Sequence, residues 1–174
     1  WAKYKNFKKD NNIINKIKKI LKLYSVSPKF NKKKVVLEGG AIDVNGQGSI
    51  LLTRECLLSK VQERNPGVNK LNLENAFRKY LNLKNFIWLN KGIKGDDTHG
   101  HIDDIARFVS PNTIMAAIQK NKKDRNFKNL NENLQILKKS RNTNGKKFRI
   151  IKIPMPKPIY INNIQVPASY LNFY

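Results

Sequence analysis

Ala41-Ile42-Asp43-Val44-Asn45-Gly46-Gln47-Gly48-Ser49-Ile50-Leu51-Leu52-Thr53 is the stretch from which the architecture follows. Two β-prone runs, Ala41 to Val44 and Ser49 to Thr53, flank Asn45-Gly46-Gln47-Gly48, and Asn-Gly readily supplies the positive φ of a tight hairpin turn. No chemistry need be assigned to that turn. Downstream, Arg54 to Lys60 reads as a short helix, Arg64-Asn65-Pro66-Gly67 as a turn, and Leu73, Phe77, Tyr80 and Leu81 as markers of a longer helix. Asn85-Phe86-Ile87-Trp88-Leu89 is then a strand. The order recurs. Ile105 to Val109 and Thr113 to Ala117 form a second hairpin turned by Ser110-Pro111-Asn112, Phe127, Leu130, Leu134 and Leu137 share a helix face ended by Asn144-Gly145, and Phe148 to Ile153 is a strand. The result is α/β: a repeated ββαβ-like unit, which points to several similar blades or modules.

Outside these units, Lys34-Val35-Val36-Leu37-Glu38 reads as a strand ending in Gly39-Gly40. An acid at a strand end beside two glycines is placed to face a site, or is a solvated carboxylate beside a turn. Asp10 to Tyr24 reads as a helix capped by Asp10, with Ile13, Ile14, Ile17, Ile20, Leu21 and Tyr24 at helical spacing. Packing of that stripe on a domain core is the commoner outcome, and adsorption to a membrane surface the rarer one. Pro154, Pro156 and Pro158 impose an extended linker before a final β-prone run, Ala168 to Tyr174.

The hydrophobic content, 40%, is enough for one domain with a real core or part of a larger one. No stretch is long and apolar enough to span a membrane. A single cysteine, Cys56, excludes an internal disulfide and fits a reducing compartment, with cytoplasm as the default. In its Leu57-Leu58 context Cys56 reads as a small buried hydrophobe rather than a nucleophile. The formal charge of +23 raises nucleic acid as a partner. Lysines interleaved with Asn and Ile along the whole chain indicate a drift in composition instead, and no motif with stacking aromatics accompanies them, so no specific nucleic acid is expected. Neither terminus carries a start or stop signal of its own, so both read as cut from a longer protein.

Chemistry concentrates in Gly95-Asp96-Asp97-Thr98-His99-Gly100-His101-Ile102-Asp103-Asp104, which holds four carboxylates and the only two histidines. Two apart before a β-prone run, His101 and Asp103 are expected on one side of an extended segment. An imidazole and a carboxylate on one face suit acid/base work on a cationic substrate. His99, His101 and Asp103 also spell H-x-H-x-D, a zinc pattern, although a hydrolytic centre of that type recruits further histidines and this chain has none. The metal-free reading makes His101 the proton shuttle, with Asp103 and Glu38 presenting negative charge to a guanidinium, which pairs with carboxylates in bidentate fashion. The third reading is a polar loop whose histidines only satisfy backbone groups.

Leu37-Glu38-Gly39-Gly40, Arg64-Asn65-Pro66, Gly95 through Val109 and Pro167 through Tyr174 together resemble the agmatine deiminases and the bacterial-type peptidylarginine deiminases of the same wider family. The likeness runs from about Val35 to Tyr174. It implies the guanidino-modifying fold, a fivefold pseudo-symmetric α/β propeller of ββαβ blades, with residues 1–174 as a single incomplete domain, its central portion. The implied reaction uses no metal and no organic cofactor: a cysteine thiolate attacks the guanidinium carbon, ammonia leaves with a proton from a histidine, and water hydrolyses the amidino-cysteine. By motif match His101 is the acid/base, Glu38 the acid that supports it, Asp103 the guanidinium-binding carboxylate and Asp97 an acid near the substrate. The implied partner is a small guanidine, agmatine, giving N-carbamoylputrescine for polyamine synthesis, with peptidyl-arginine as the alternative and a homo-oligomer left open.

Two departures accompany the matches. The family's nucleophilic cysteine lies in a glycine-rich, histidine-containing segment that does not occur before Tyr174, and its first guanidinium-binding aspartate falls upstream of Trp1. The 174 residues alone are therefore expected not to turn over agmatine. A non-catalytic basic remnant that binds RNA is the reading from another class, and the intact Glu38, His101 and Asp103 argue against it.

Overall fold

A computed structural model describes residues 7–30 and 32–173. Its core is two consecutive ββαβ units. In the first, β3 (Ile42–Val44) and β4 (Ser49–Thr53) form an antiparallel hairpin, α3 (Arg54–Leu58) and α4 (Lys70–Leu81) follow, and β5 (Asn85–Leu89) returns parallel to β4. In the second, β6 (Ala106–Ser110) and β7 (Thr113–Ile118) form the hairpin, α5 (Phe127–Lys139) crosses over, and β8 (Arg149–Pro154) lies parallel to β7. Each unit is a three-stranded sheet in sequence order. The expected repeat is present.

Strand β4 explains how the units meet. All five of its residues are buried, because both faces are covered and side chains alternate between them. Ile50 and Leu52 join a cluster with Leu73 and Phe77 of α4 and with Trp88. Leu51 joins the other, with Ile87, Leu89, Ile102, Ile114, Leu130 and Leu137, which spans both units. Asp43 adds a polar tie, its carboxylate accepting from Arg107 Nε at 2.8 Å and from the Phe108 amide at 2.6 Å.

Local chemistry sets the element ends. Asn45 Oδ1 accepts from the amides of Gln47 and Ser49 across the β3–β4 turn. Helix α4 starts with a reciprocal pair, Asn69 with Asn72, and stops at Asn82 in the left-handed region. Helix α5 ends at Lys139, not at Asn144-Gly145: Ser140 turns extended and its hydroxyl donates to the Leu137 carbonyl, while Gly145 serves a separate turn bounded by an Arg141–Lys147 bridge.

Three other expectations are corrected. The strand at Lys34 to Glu38 shrinks to Lys33–Lys34 (β2), paired with Lys29–Phe30 (β1). The Asn65 side chain takes the place of a neighbouring strand for Val36, accepting from its amide at 2.7 Å and donating to its carbonyl at 2.8 Å. Residues 168–173 are not a strand. The hairpin lies earlier, in β9 (Ile159–Ile161) and β10 (Ile164–Val166), turned by Asn162 and Asn163 at φ +49° and +61°. Residues 168–173 instead seal the core edge, with Leu171 buried and the Ser169 hydroxyl donating to the Asp104 carbonyl at 2.6 Å. The helix at Asp10 to Tyr24 forms as α1 (Lys8–Asn11), which already includes Asp10, and α2 (Ile13–Ile20), stopped by Lys22 at φ +51°. Its apolar stripe does not reach a core: Ile13, Ile14, Ile17, Ile20, Leu21 and Tyr24 are all exposed. Helical spacing dictates that a face is apolar, not what covers it.

Candidate active site

The chain leaves β5 and enters a loop folded around one side chain. Asp96 accepts through Oδ1 from the Thr98 amide and hydroxyl, and through Oδ2 from the amides of Gly100, at 2.8 Å, and His101, at 3.1 Å. The carboxylate collects backbone donors that no regular element satisfies. Gly100 has φ +90°, and a Cβ there would stand 2.9 Å from Glu55 Oε2, so only glycine fits without displacing that side chain. The Thr53 hydroxyl donates to the Gly100 carbonyl and accepts from the Cys56 amide, tying the loop to the β4–α3 junction.

That loop delivers His101 to Glu38. His101 Nε2 lies 3.3 Å from Glu38 Oε1, and its Nδ1 lies 4.0 Å from Asp103 Oδ1. Glu38 Oε2 accepts from Arg64 Nε and Oε1 from Arg64 Nη2 at 3.2 Å, a bidentate pair. The Arg64 side chain is completely buried. Its remaining donors reach the carbonyls of Cys56 and Gln62, both at 3.3 Å, and of Thr98. His101 and Asp103 are held close by a 3-10 turn, Ile102–Asp104, rather than by an extended segment. Proximity survives although the expected backbone does not, because residues two apart cannot separate far in either conformation. Gly40 completes the floor: a Cβ there would lie 2.5 Å from both His101 Nδ1 and Asp103 Oδ2.

The electrostatics divide the carboxylates. Burial pushes the Glu38 carboxyl up, but hydrogen bonds to His101 and Arg64 and the Arg64 charge outweigh it and bring it down to about 2. Asp103 moves the other way, raised by burial more than the charges of His101 and Arg107 lower it. Its Oδ1 is buried and accepts no hydrogen bond among the described residues. A cationic N–H donor arriving there would satisfy that oxygen and offset the cost of burying the anion. Asp104 is pushed to about 6 by burial, against the hydrogen bond from Asn172. The arrangement thus holds an imidazole between a carboxylate kept charged and a carboxylate short of a donor, which suits proton transfer beside a bound cation.

The H-x-H-x-D arrangement does not assemble. His99 Nε2 sits 3.2 Å from Ser59 Oγ, at φ +64°, and among the described residues the three-ligand grouping is Glu38, Cys56 and His101, within 4.8 Å of one another. A cation there would compete with Arg64 for Glu38, and burial pushes the Cys56 thiol up to about 12, away from the thiolate that ligates metal. The same burial agrees with Cys56 as a core side chain. A cavity of about 730 Å³ is lined by Arg54, Glu55, Ser59, Asn90, His99 and Lys128, not by the cluster.

Of the residues singled out from sequence, Glu38, His101 and Asp103 converge, whereas Asp97 is exposed and offers its carbonyl to Gln62 Nε2 at 3.3 Å. Arg64 and Asp96 were not singled out. Arg-Asn-Pro-Gly reads as a turn, and the signal that marks Arg64 is only its presence in the family-like Arg64-Asn65-Pro66. The signal that could mark Asp96 is the acid-led loop pattern it forms with Thr98 and Gly100.

The chain matches the model of the Porphyromonas-type peptidyl-arginine deiminase over residues 1–174. It is 34% identical to the agmatine deiminase of Medicago truncatula over 90% of the chain and 46% of that protein. It superposes on the agmatine deiminase of Enterococcus faecalis with a TM-score of 0.84 at 28% identity, covering 98% of the chain and 50% of that structure. A substrate-bound structure of a C. jejuni agmatine deiminase variant gives 0.81 at 36% identity, covering 94% and 46%. The chain spans about half the length of these relatives. With its mixed α/β fold and its Glu38–His101–Asp103 cluster, the chain belongs to the Porphyromonas-type peptidyl-arginine deiminase family.

Proposed function

We propose that this chain is the central part of an agmatine deiminase and supplies its proton-transfer centre. The observation that carries the proposal is the imidazole of His101 set between Glu38 and Asp103, with Asp103 Oδ1 buried and short of a donor. The two ββαβ units are then consecutive blades of a fivefold pseudo-symmetric propeller, and residues 1–174 a single incomplete domain. The match to substrate-bound and reacting agmatine deiminases supports the choice of substrate, and the family model's own description favours peptidyl-arginine as the second reading. No helix among the described residues is long and apolar enough to cross a membrane, and cytoplasm is the compartment we assign.

In this reading Asp103 takes the guanidinium N–H groups, and Asp97 adds negative charge at the approach. A cysteine thiolate from elsewhere in the complete protein forms a C–S bond at the guanidinium carbon. The C–N bond then breaks, and ammonia leaves with the proton of the His101 imidazolium. Neutral His101 next takes a proton from water, whose oxygen attacks the amidino carbon. Cleavage of the C–S bond, with loss of the remaining hydroxyl proton to solvent, returns the thiolate and releases N-carbamoylputrescine, a precursor of putrescine. Glu38 stays ionised throughout and stabilises the imidazolium. Cys56 is not the nucleophile in this scheme, because its thiol is buried and held far from ionisation.

The test is ammonia release from agmatine by the complete protein, by its His101→Ala variant and by the 174-residue chain. Turnover that disappears in the variant and is absent from the isolated chain is expected. Turnover by the isolated chain, or an active His101→Ala protein, would overturn the scheme, and activity on peptidyl-arginine alone would transfer it to the second reading.

A further inference from the structure

Arg64 spends its donors on three separate pieces of the site. Its fork grips Glu38 through Nε and Nη2, Nη2 also reaches the Thr98 carbonyl of the histidine loop, and Nη1 reaches the carbonyls of Cys56, within α3, and of Gln62. The side chain has no exposed surface, while Glu38 and His101 retain slight exposure toward the site. A completely buried guanidinium is costly unless each donor is met and the charge is paired. Here the pairing lies one carboxylate away from an imidazole, and the carbonyl it holds lies three residues before that imidazole.

We propose that Arg64 is a positioning residue for the deiminase reaction: by gripping Glu38 bidentately and the Thr98 carbonyl at once, it sets the distance between Glu38 and His101 and keeps the carboxylate available to the imidazolium. This rests on the reading of His101 as the acid/base. Three physical consequences support it. A lysine, with a single point charge, retains the sign but cannot grip two carboxylate oxygens and a carbonyl in one plane. An apolar residue of similar length leaves Glu38 buried with only His101 to hold it charged, so its titration moves upward. Because the charge-assisted part of the influence of Arg64 on His101 passes through Glu38, most of that influence should vanish when Glu38 is no longer an anion, the bond to the neutral Thr98 carbonyl carrying the smaller part. A residue that merely stabilises the fold has no reason to obey the last condition.

The experiment is a double-mutant cycle in the complete protein with Arg64→Lys and Glu38→Gln, read as kcat and KM for agmatine. A loss of kcat of about tenfold or more is expected for Arg64→Lys alone, part of the acid/base contribution, with KM little changed and less than about twofold further loss in the Glu38→Gln background. Equal losses in both backgrounds would overturn the proposal, since Arg64 would then act on stability or elsewhere in the site. A second readout needs no turnover: carbon-13 NMR titration of the Glu38 carboxyl in wild type and Arg64→Met. Movement of that titration upward is expected, and an unchanged titration in a folded variant would sink the idea. If Arg64→Met fails to fold, Arg64→Lys carries both measurements. An inactive wild-type protein would reject the deiminase reading, with Arg64 then judged by the titration alone.

Discussion

Gly40 faces His101 so closely that a methyl group on its Cα would lie 2.5 Å from the imidazole Nδ1 and equally near Asp103 Oδ2. The absence of a side chain at residue 40 is therefore what allows the imidazole and the carboxylate to occupy the floor of the site.

Gly40→Ala is expected to displace His101 or Asp103. A shift of about 1 Å costs on the order of 100-fold in turnover, and the forced contact about 1–3 kcal/mol of stability. Gly39→Ala is the control, because a Cβ at residue 39 meets nothing within 4 Å. Ammonia release and thermal melting of the two variants decide the matter; equal behaviour would show the approach to be soft.

Glu38 governs the acid limb of stability. Its carboxyl stands at about 2 in the folded protein against 4.5 ordinarily, so it contributes stability that is present above pH 4.5 and lost as pH falls toward 2. Urea midpoints followed from pH 5 downward should fall less steeply in Glu38→Gln than in wild type. At neutral pH Glu38→Ala should cost about 3–5 kcal/mol, because Arg64 remains buried without its partner.

Asp104 works in the opposite direction. Burial raises its carboxyl from 3.8 to about 6, so its contribution is present below pH 3.8 and lost as pH rises through 6. Asp104→Asn removes a buried anion at neutral pH while leaving an oxygen to accept from Asn172, 3.3 Å away. The variant should melt higher than wild type at pH 7.5, by about 2–4 °C for each kcal/mol relieved, and the advantage should fade below pH 4. A lower melting point at pH 7.5 would show that Asp104 has a charged partner that outweighs its burial.

Cys56 should be unreactive in the native state. Its thiol is buried and raised to about 12, so a disulfide reagent at pH 8 should label it only after unfolding in urea. Cys56→Ala should leave turnover by the complete protein intact and cost about 1 kcal/mol of stability. Loss of turnover in a folded Cys56→Ala protein would return the thiol to the reaction scheme.

The hairpins and crossovers were legible because their signals are local. Asn45-Gly46 makes its turn through backbone preference and its own side chain, and the alternation in β4 sends Leu51 one way and Ile50 and Leu52 the other whatever lies beyond. The hairpin at Ile159–Val166 was missed because two consecutive left-handed asparagines, without a glycine, are a weak signal, while the β-prone run at its C-terminal side drew the strand assignment.

Local spacing was enough to determine the two ββαβ units, the burial of Cys56 and the nearness of His101 to Asp103, since each depends on residues within a turn or a strand of one another. The motif match named Glu38 as the acid that supports His101, but folding alone settled the geometry of their meeting and what holds the carboxylate there: Glu38 stands 63 residues from His101 and 26 from Arg64. No periodicity or propensity links positions so far apart. Their meeting is set by burial of the guanidinium among three carbonyls and one carboxylate, a balance of desolvation and hydrogen bonding that exists only once the loop, the turn and α3 have packed together.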